Sequence, residues 1–364
     1  MDDQRLIIKG QSKTRAVEEW IRTKIQQGDY PPGSKLPSDH DLARELNVAY
    51  MTVRTALSPL VRDGLLQRIL GKGTFVAERD AIEKAPRSIA LVVPSLSSLW
   101  NVAGIYYFPG IVQGFCAEAT RLGYDPAIIG RSKDFYDTGT GRALSGFAAV
   151  GCLLIEAADL SAIEVLRDAQ VPMVAINAYH GRRMISSIAA DQAEGVASAV
   201  DLLVKYGHRR IAFLRGPDGN LGAEERFRGF RQGMARAGLQ HSAIDGGPGD
   251  YMDQSGMTRA CHLLTQKRRP TAIVTAGDMI AAGVLKAAET LGLCVPGDLS
   301  VVGFGDFHIA ALLQPSLTTV SLPLSGLGEG AVNFLHRYLG GEKEHGTLHL
   351  PTTLIERDST GQCP

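Results

Sequence analysis

The sequence predicts an α/β protein that consists of a small helical head and a larger core of two lobes built from parallel sheets. Residues 36–76 have the pattern of a helix, a turn, a second helix and two short strands. From residue 88 onward, nearly continuous apolar strands alternate with helices, which is typical of parallel sheets with both faces covered. Because two such runs follow one another over about 270 residues, we expect two similar lobes with a cleft between them.

Composition and charge are those of a globular protein with more than one domain. The chain has 364 residues, of which 45% are hydrophobic and 21% charged, and its formal net charge is +0. The five cysteines are odd in number and form no C-x-x-C, which argues against a disulfide framework and a zinc site. The N-terminus lacks the apolar stretch of a signal peptide, and no apolar run reaches roughly 18 residues, the length that spans a bilayer. We therefore expect a cytoplasmic protein without a membrane contact or a bound metal.

The head begins with a predicted helix over Thr14–Gln27, which Tyr30-Pro31-Pro32-Gly33 stops. Ser38 is a good N-cap for the second helix, and Asp41 three residues later completes a capping box. Asn47-Val48 ends that helix. At about 100° per residue, a third helix buries one apolar face and exposes Met51, Arg54, Thr55, Ser58 and Arg62.

Pro59 lies inside this third helix and removes one N–H, so we expect it to kink or shorten the helix near Thr55. Asp63-Gly64 ends the helix, and two strands surround the tight turn Gly71-Lys72-Gly73. A helix that exposes arginine, threonine and serine suits the major groove of DNA, and a Gly-Lys-Gly turn can approach a phosphate closely. The alternative is an ordinary three-helix domain. Ten lysines and arginines against seven acidic residues over 13–76 are too mild a surplus to decide.

Four motifs in this stretch resemble the winged helix-turn-helix of GntR-type transcription regulators. They are Leu36-Pro37-Ser38, Thr52-Val53-Arg54, Gly64-Leu65-Leu66 and Gly71-Lys72-Gly73-Thr74-Phe75-Val76. The resemblance implies binding to a double-stranded DNA operator through Ser38, His40, Tyr50, Met51, Thr52, Arg54, Thr55, Gly71, Lys72 and Gly73. Three positions depart from the family: Ala49-Tyr50 stand where it usually has Ser-Arg, and His40 stands where it has an arginine. The family's usual operator bases are therefore in doubt.

The residues after the head, 78–87, are charged and end near a proline, which is typical of a linker. Strands of the core are predicted at Ile89–Val93, Pro126–Ile129, Gly151–Ile155, Pro172–Ile176, Arg210–Leu214, Ala272–Thr275 and Leu299–Gly303. Helices are predicted between them at Gly110–Leu122, Ser161–Ala169, Ala193–Tyr206, Ala223–Ala237, Gln254–Gln266 and Met279–Leu291.

The core carries no G-x-S-x-G elbow, P-loop or H-E-x-x-H motif. Asp191, Asp278, Asp306 and His308 lie near strand ends, where they could serve acid–base chemistry or bind the hydroxyls of a ligand. We favour binding, because no base–nucleophile set is apparent. The sequence thus predicts neither an enzyme nor a cofactor.

A second group of motifs resembles the core of LacI-type regulators. They are Tyr206-Gly207-His208-Arg209-Arg210-Ile211-Ala212-Phe213, Arg226-Phe227-Arg228-Gly229-Phe230, Asp278 with Ala281-x-Gly283, Val295-Pro296-x-Asp298-Leu299-Ser300-Val301-Val302-Gly303-Phe304 and Leu317-Thr318-Thr319-Val320. The resemblance implies the fold of periplasmic sugar-binding proteins, with two Rossmann-like lobes. It divides the chain into a head at 1–77, a linker at 78–87 and an effector-binding and dimerisation domain at 88–364. We expect most of these motif residues to be scaffold and not ligand contacts.

The resemblance also implies an effector site in the cleft. Arg226 matches the arginine that holds the effector in the family, Asn177 matches another cleft position, and Tyr251 matches an aromatic residue that stacks on the ligand. The guanidinium of Arg226 suits vicinal hydroxyls or a carboxylate. The alternative for this arginine is an ion pair with nearby Glu224 or Glu225.

The predicted effector set is completed by Tyr106, Tyr107, Asp278 and Asp306. The two tyrosines lie in an aromatic–proline segment similar to one in the arabinose repressor group, where a GntR-type head joins a LacI-type core, although simple hinge packing explains them as well. Gly277 and Gly305 stand where the family usually has Asn and Asp. Since two polar anchors are missing, we expect a roomier pocket that accepts something other than the simplest pentose or hexose.

Together the two resemblances imply a ligand-responsive transcription regulator, and a repressor above all. It would bind a palindromic operator as a homodimer and respond to a sugar or sugar derivative that closes the lobes. A transport protein or a sugar-modifying enzyme could share the core fold. The missing signal peptide and the head argue against the first, and the missing catalytic set argues against the second.

Overall fold

The structure, a computed structural model, describes residues 13–62, 65–69, 72–77, 87–93, 104–130, 149–153, 172–177, 186–340, 342 and 346–364. The predicted end of the third helix at Asp63-Gly64, residue Gly71 of the turn, most of the predicted linker and the predicted helix Ser161–Ala169 lie outside the described residues. Contacts within the chain divide it into two units, residues 1–87 and 88–364. Among the described residues, no helix combines the length and apolar character needed to cross a bilayer.

The head unit contains three helices and a two-stranded hairpin. Its elements are α1 (Lys13–Gln26), α2 (Asp39–Glu45), α3 (Tyr50–Arg62), β1 (Leu66–Ile69) and β2 (Gly73–Val76). The Ser38 Oγ accepts the Asp41 N–H at 3.2 Å and donates to the Asp41 carboxylate at 2.6 Å, so the predicted cap of α2 is confirmed. Asn47, with φ +50°, turns the chain from α2 into α3.

Pro59 does not shorten α3 near Thr55, because the helix continues through it to Arg62, so the expectation of a shorter helix was wrong. Ala56, Leu57 and Leu60 flank the proline and are fully buried in the head. Packing of this apolar face therefore holds the helix together around the position where the proline removes an N–H.

The core unit contains two six-stranded sheets. In chain order its elements are β3 (Arg87–Val93), α4 (Gly104–Arg121), β4 (Tyr124–Gly130), β5 (Ala149–Leu153), β6 (Met173–Ile176), β7 (Ser187–Ala190), α5 (Gln192–Lys205), β8 (Ile211–Leu214), α6 (Leu221–Arg236), β9 (Ala243–Asp245), α7 (Asp253–Leu264), β10 (Ala272–Thr275), α8 (Asp278–Thr290), β11 (Ser300–Gly305), α9 (His308–Leu312), β12 (Thr318–Ser321), α10 (Leu324–Leu339), β13 (Thr347–Leu350) and β14 (Thr353–Ile355). The strand order is β13-β7-β6-β5-β3-β4 in lobe 1 and β14-β12-β11-β10-β8-β9 in lobe 2.

The sheets are mainly parallel, which confirms the predicted fold class. In lobe 2 only the pairing of β12 with β14 is antiparallel among the described strand pairs. The chain passes between the lobes three times, from β7 to α5, from β12 to α10 and from β13 to β14. The two lobes are therefore joined by three connections, which together form the hinge between them.

Strands β7, β9, β12, β13 and β14 and helices α9 and α10 were not predicted. Strand β7 is built from small residues, and α10 contains Gly326, Gly328 and Gly330, which lower helix propensity. One of these glycines has a packing role. A Cβ on Gly328 would lie 2.1 Å from the Ile111 carbonyl oxygen of α4, so the two helices approach more closely than a side chain would allow.

We predict that Gly328→Ala lowers the free energy of unfolding of the core by about 2 kcal/mol or more, because the new methyl group meets backbone that cannot move away. Gly326→Ala is the matched control in the same helix, since its Cβ would make only ordinary contacts. That variant should be neutral or up to about 1 kcal/mol more stable. Urea unfolding of both variants measures the difference, and equal effects would contradict the close approach.

Candidate functional sites

The exposed face of α3 is the first candidate site. Met51, Arg54, Thr55 and Ser58 are exposed as predicted, while the opposite face of α3 fills the core of the head. The hydroxyls of Thr55 and Ser58 donate to the carbonyls of Met51 and Arg54 at 2.7 and 2.9 Å. Both hydroxyl oxygens keep lone pairs that can accept hydrogen bonds from a partner. Arg54 forms no ion pair within the described part of the chain, so its guanidinium is available to a partner.

Two of the three positions that depart from the GntR pattern contact each other. His40, in the first turn of α2, stacks on Tyr50, the first residue of α3, with ring centroids 4.4 Å apart and an interplanar angle of 21°. Both rings border the exposed face beside Met51, which is 62% exposed. An aromatic pair therefore stands where the family has two arginines, which favours contact with flat or apolar groups over bidentate guanine contacts.

The hairpin places a second positively charged group at the edge of the head. Lys72 is exposed, and its N–H closes the turn by donating to the Ile69 carbonyl at 2.9 Å. Gly73 has φ +116°, and the Lys35 side chain lies across it. Lys35 was not predicted. It joins the site because residues 34–36 pair with β2, a contact that no local pattern indicates.

The second candidate site lies in the core, where the carboxyl ends of the strands of both lobes face the cleft. Asn177 follows β6 of lobe 1, whereas Ala276 follows β10 and Asp306 follows β11 in lobe 2. In parallel sheets this edge is where ligands bind.

Arg226 is buried at the centre of this edge. Its Nε donates to Gln192 Oε1 at 2.7 Å and its Nη1 to the Ala276 carbonyl at 2.5 Å. The guanidinium carbon lies 4.3 Å from the ring centroid of Phe304 and 5.7 Å from that of Tyr251. The alternative of an ion pair with a neighbouring glutamate is wrong. Glu225 instead pairs with the exposed Arg228, and the buried Arg226 is turned away from its own helix surface.

Lobe 1 contributes Tyr107 and Asn177 to the same place. The buried Asn177, at φ +61°, donates its Nδ2 to the Tyr107 hydroxyl. Burial raises the pKa of Tyr107 to about 12, against the opposing effect of the nearby positive charge of Arg226. Burial also raises the pKa of Tyr251. Four predicted residues, two from each lobe, therefore meet in the cleft with both tyrosine hydroxyls protonated.

The pocket is not roomier at Gly277 and Gly305, so that prediction was wrong. The ring of Tyr251 lies against Gly277, and the ring of Phe307 lies against Gly305. Phe307 in turn stacks on Tyr106 of lobe 1, with ring centroids 5.5 Å apart. Aromatic rings thus occupy the space that the missing polar side chains would have left.

Asp278 does not line the cleft, contrary to the prediction. It is fully buried, its Oδ1 accepts from the Thr319 hydroxyl at 2.5 Å and its Oδ2 from the Phe307 N–H at 2.8 Å. It can turn inward because Gly303 leaves room, where any Cβ would lie 2.2 Å from Oδ1. Asp278 therefore holds the loop that carries Phe307. Burial raises the pKa of Asp278 to about 6.

Asp306 lies partly buried at the rim of the cleft, with φ +53°. Its carboxylate accepts a hydrogen bond from Arg357 Nη2 at 2.7 Å. His308 is exposed at the first turn of α9.

Two residues of the cleft were missed in the sequence. Gln192 holds Arg226, and Asn220 accepts both the Tyr251 hydroxyl at 3.0 Å and the Ala223 N–H at 2.9 Å as the N-cap of α6. The helix-capping position of Asn220 was a usable signal. Nothing local indicates the role of Gln192. Within the described residues, no three metal-ligating side chains come together.

The buried Asp278 gives a testable pH dependence. Its pKa of about 6 in the folded chain exceeds the ordinary 3.8. The stability that it contributes is therefore complete below pH ~4 and is lost as the pH rises through ~6, by roughly 3 kcal/mol at ~1.4 kcal/mol per pKa unit. In urea unfolding, the parent should lose stability relative to Asp278→Asn over this range. A difference that stays constant between pH 4 and 7 would contradict this.

Known proteins match both units. Residues 13–76 match the gntR family of bacterial regulatory proteins, and residues 200–360 match the periplasmic binding protein-like domain. The HTH-type transcriptional regulator MalR of Streptomyces coelicolor is 30% identical over 348 residues, which cover 89% of this chain and 96% of that protein. The arabinose metabolism transcriptional repressor of Geobacillus stearothermophilus is 29% identical over 369 residues, which cover 94% and 96%.

A solved structure agrees with the fold. The crystal structure of the lac repressor dimer bound to operator and the anti-inducer ONPF matches with a TM-score of 0.67 and 26% identity, and the match covers 79% of this chain and 99% of that chain. These relatives are transcription regulators and not enzymes. The chain belongs to the bacterial transcription regulators with a LacI-type, periplasmic-binding-protein-like domain, and it joins that domain to a GntR-type winged helix-turn-helix.

Proposed function

We propose that this regulator is a repressor that binds a palindromic operator as a dimer and is switched by a small molecule in the core cleft. The observation that carries the proposal is the meeting of Tyr107 and Asn177 of lobe 1 with Arg226 and Tyr251 of lobe 2, in a chain that also has a helix-turn-helix head. A ligand held by both lobes couples binding to lobe closure. The arabinose metabolism repressor and the operator-bound lac repressor dimer support this use of the fold.

In this proposal residues 1–77 form the DNA-binding domain, residues 78–87 the linker and residues 88–364 the effector-binding and dimerisation domain. Arg54 reads base edges in the major groove, and Lys72 and Lys35 bind phosphates from the hairpin. The remaining head contacts are assigned to Ser38, His40, Tyr50, Met51, Thr52, Thr55, Gly71 and Gly73.

The effector is a sugar, a sugar derivative or a related small metabolite. We assign its contacts to Tyr106, Tyr107, Asn177, Arg226 and Tyr251, with Asp306 at the rim. Asp278 is left out, because both of its oxygens are already bonded inside lobe 2. Arg226 suits a polar or anionic group of the ligand, since its rigid donors are held in place by fixed acceptors.

The switch follows from the three connections between the lobes. Effector closes the cleft, the lobes rotate about these connections, and the spacing of two heads in a dimer changes. Because a helix-turn-helix dimer needs its recognition helices one DNA turn apart, a change in spacing releases the operator.

We predict that Arg54→Ala costs about 1–3 kcal/mol of operator binding and relaxes preference at one base position of each half-site. Lys72→Ala should weaken binding to all DNA sequences and reduce its salt dependence. Arg15→Ala, which removes an exposed positive charge from α1 outside the assigned contacts, is the control. Gel-shift titrations with whole and half palindromes measure these effects. Parent-like binding by both the Arg54 and Lys72 variants would refute the head assignment.

We also predict that Arg226→Ala lowers effector affinity at least tenfold, about 1.4 kcal/mol, because a polar group of the ligand loses its partner. Operator binding without effector should not change. Arg228→Ala, two residues away on the exposed face of α6, is the matched control and should bind effector like the parent. A thermal-shift screen identifies a compound that binds the parent, and calorimetry then measures its affinity for the parent and both variants. Equal affinity of the parent and both variants would remove Arg226 from the site.

A further inference from the structure

Three glycines at the carboxyl ends of lobe 2 strands lie directly against aromatic rings. A Cβ on Gly305, which has φ +128°, would lie 2.8 Å from two ring carbons of Phe307. A Cβ on Gly277 would lie 3.3 Å from the Tyr251 ring, and one on Gly216 would lie 2.8 Å from the same ring. Real Cβ atoms do not come within 3 Å of such a ring, so Gly305 and Gly216 have to be glycine for the rings to lie there. The wall of lobe 2 is therefore aromatic.

Lobe 1 provides the facing rings. Tyr106 stacks on Phe307 with an interplanar angle of 23°, and Tyr251 lies close enough to Tyr107 to raise the pKa of its phenol. All four residues are partly buried. Tyr106, Tyr107, Tyr251 and Phe307, which we call the aromatic clamp, thus bring rings from both lobes together in the cleft.

The polar groups around the clamp are largely bonded to one another. The Tyr251 hydroxyl donates to Asn220, the Thr275 hydroxyl donates to the Gly277 carbonyl at 2.9 Å, and Asp306 accepts from Arg357. A sugar ring carries hydroxyls around its whole edge, and each needs a partner when it is buried. The described part of the cleft offers few free partners for such an edge.

One hydrogen-bond acceptor beside the clamp, the side-chain oxygen of Asn177, is not bonded to a neighbour among the described residues. Asn177 is 4% exposed, its Nδ2 donates to Tyr107, and its Oδ1 has no partner among the described residues. Arg226, also beside Tyr107, has five N–H groups, of which Gln192 and Ala276 take one each. An orphan acceptor and a donor cluster therefore border the clamp on the same side.

We propose that the effector is, or carries, a flat conjugated ring held in the aromatic clamp, with a donor directed at Asn177 Oδ1 and a carbonyl or carboxylate at Arg226. This inference rests on the proposed function, because it takes the cleft as the effector site. Offset stacking on rings from both lobes favours a planar ligand over a saturated one. The donor and the acceptor on one edge of that ring fix its orientation.

The test compares ligands that differ in the ring alone. Full-length protein is titrated in calorimetry with methyl glycosides and with p-nitrophenyl glycosides of the same sugars, and with two planar carboxylates, nicotinate and indole carboxylate. We expect a ring-bearing compound to bind at least about tenfold more tightly than its ring-free counterpart. Ring-free sugars that bind as well as their aryl counterparts would overturn the inference, and so would the failure of every ring-bearing compound to bind at millimolar concentration.

Two variants locate the ring. Tyr251→Leu keeps an apolar side chain without the ring, and Gly277→Asn places an amide where the ring of Tyr251 lies. Both should lower the affinity for the ring-bearing compound at least about tenfold and so reduce its advantage over the methyl glycoside of the same sugar. Gly326→Asn, on α10 of lobe 1, is the control, and unchanged operator binding shows that the variants are folded. Parent-like affinity of both variants for the ring-bearing compound would overturn the clamp.

The proposed function is tested independently of the aromatic clamp. It is contradicted if a compound that binds the cleft tightly, whatever its class, leaves the affinity for the operator unchanged. A tight-binding ring-free sugar that releases the operator would leave the proposed function intact and overturn the clamp.

Discussion

The burial of one guanidinium, that of Arg226, sets the arrangement of the ligand edge of lobe 2. A buried cation has to direct its N–H groups at fixed acceptors, and here they are Gln192 Oε1 and the Ala276 carbonyl. Gln192 opens α5 directly after the chain has crossed from lobe 1, and Ala276 follows a central strand. The faces of Phe304 and Tyr251 cover the cation. The arginine thereby connects the cleft to the hinge, and lobe 1 closes against a side chain whose position is fixed.

Lobe 1 approaches Arg226 and its neighbours through two tyrosines, which are held in place in different ways. Tyr107 is held within its own lobe by Asn177, whereas Tyr106 meets Phe307 directly across the cleft. Phe307 depends on Asp278, which accepts its backbone N–H. A buried carboxylate whose two oxygens are both bonded inside lobe 2 therefore positions a residue through which the lobes contact each other.

The order of helices and strands was predictable because the buried strands are continuous apolar runs and the helices have a regular apolar face. Strand β7 escaped notice because Ser187–Ala190 is short and built from small residues. In the cleft, the position of Arg226 followed from its place in a motif. The orientation of Asp278 could not be predicted, because it depends on space left by Gly303, which lies 25 positions away in the sequence. Gly277 was misjudged for the same reason, since the ring that covers it comes from a distant loop.

In both units, aromatic rings are found where the family pattern has polar side chains. In the head, His40 and Tyr50 replace two arginines and stack on each other. In the core, rings of Tyr251 and Phe307 cover the glycines that replace two polar residues. Stacking accepts a wider range of partners than bidentate hydrogen bonds do. In the proposed function, Arg54 in the head and Arg226 in the cleft therefore supply the directional contacts.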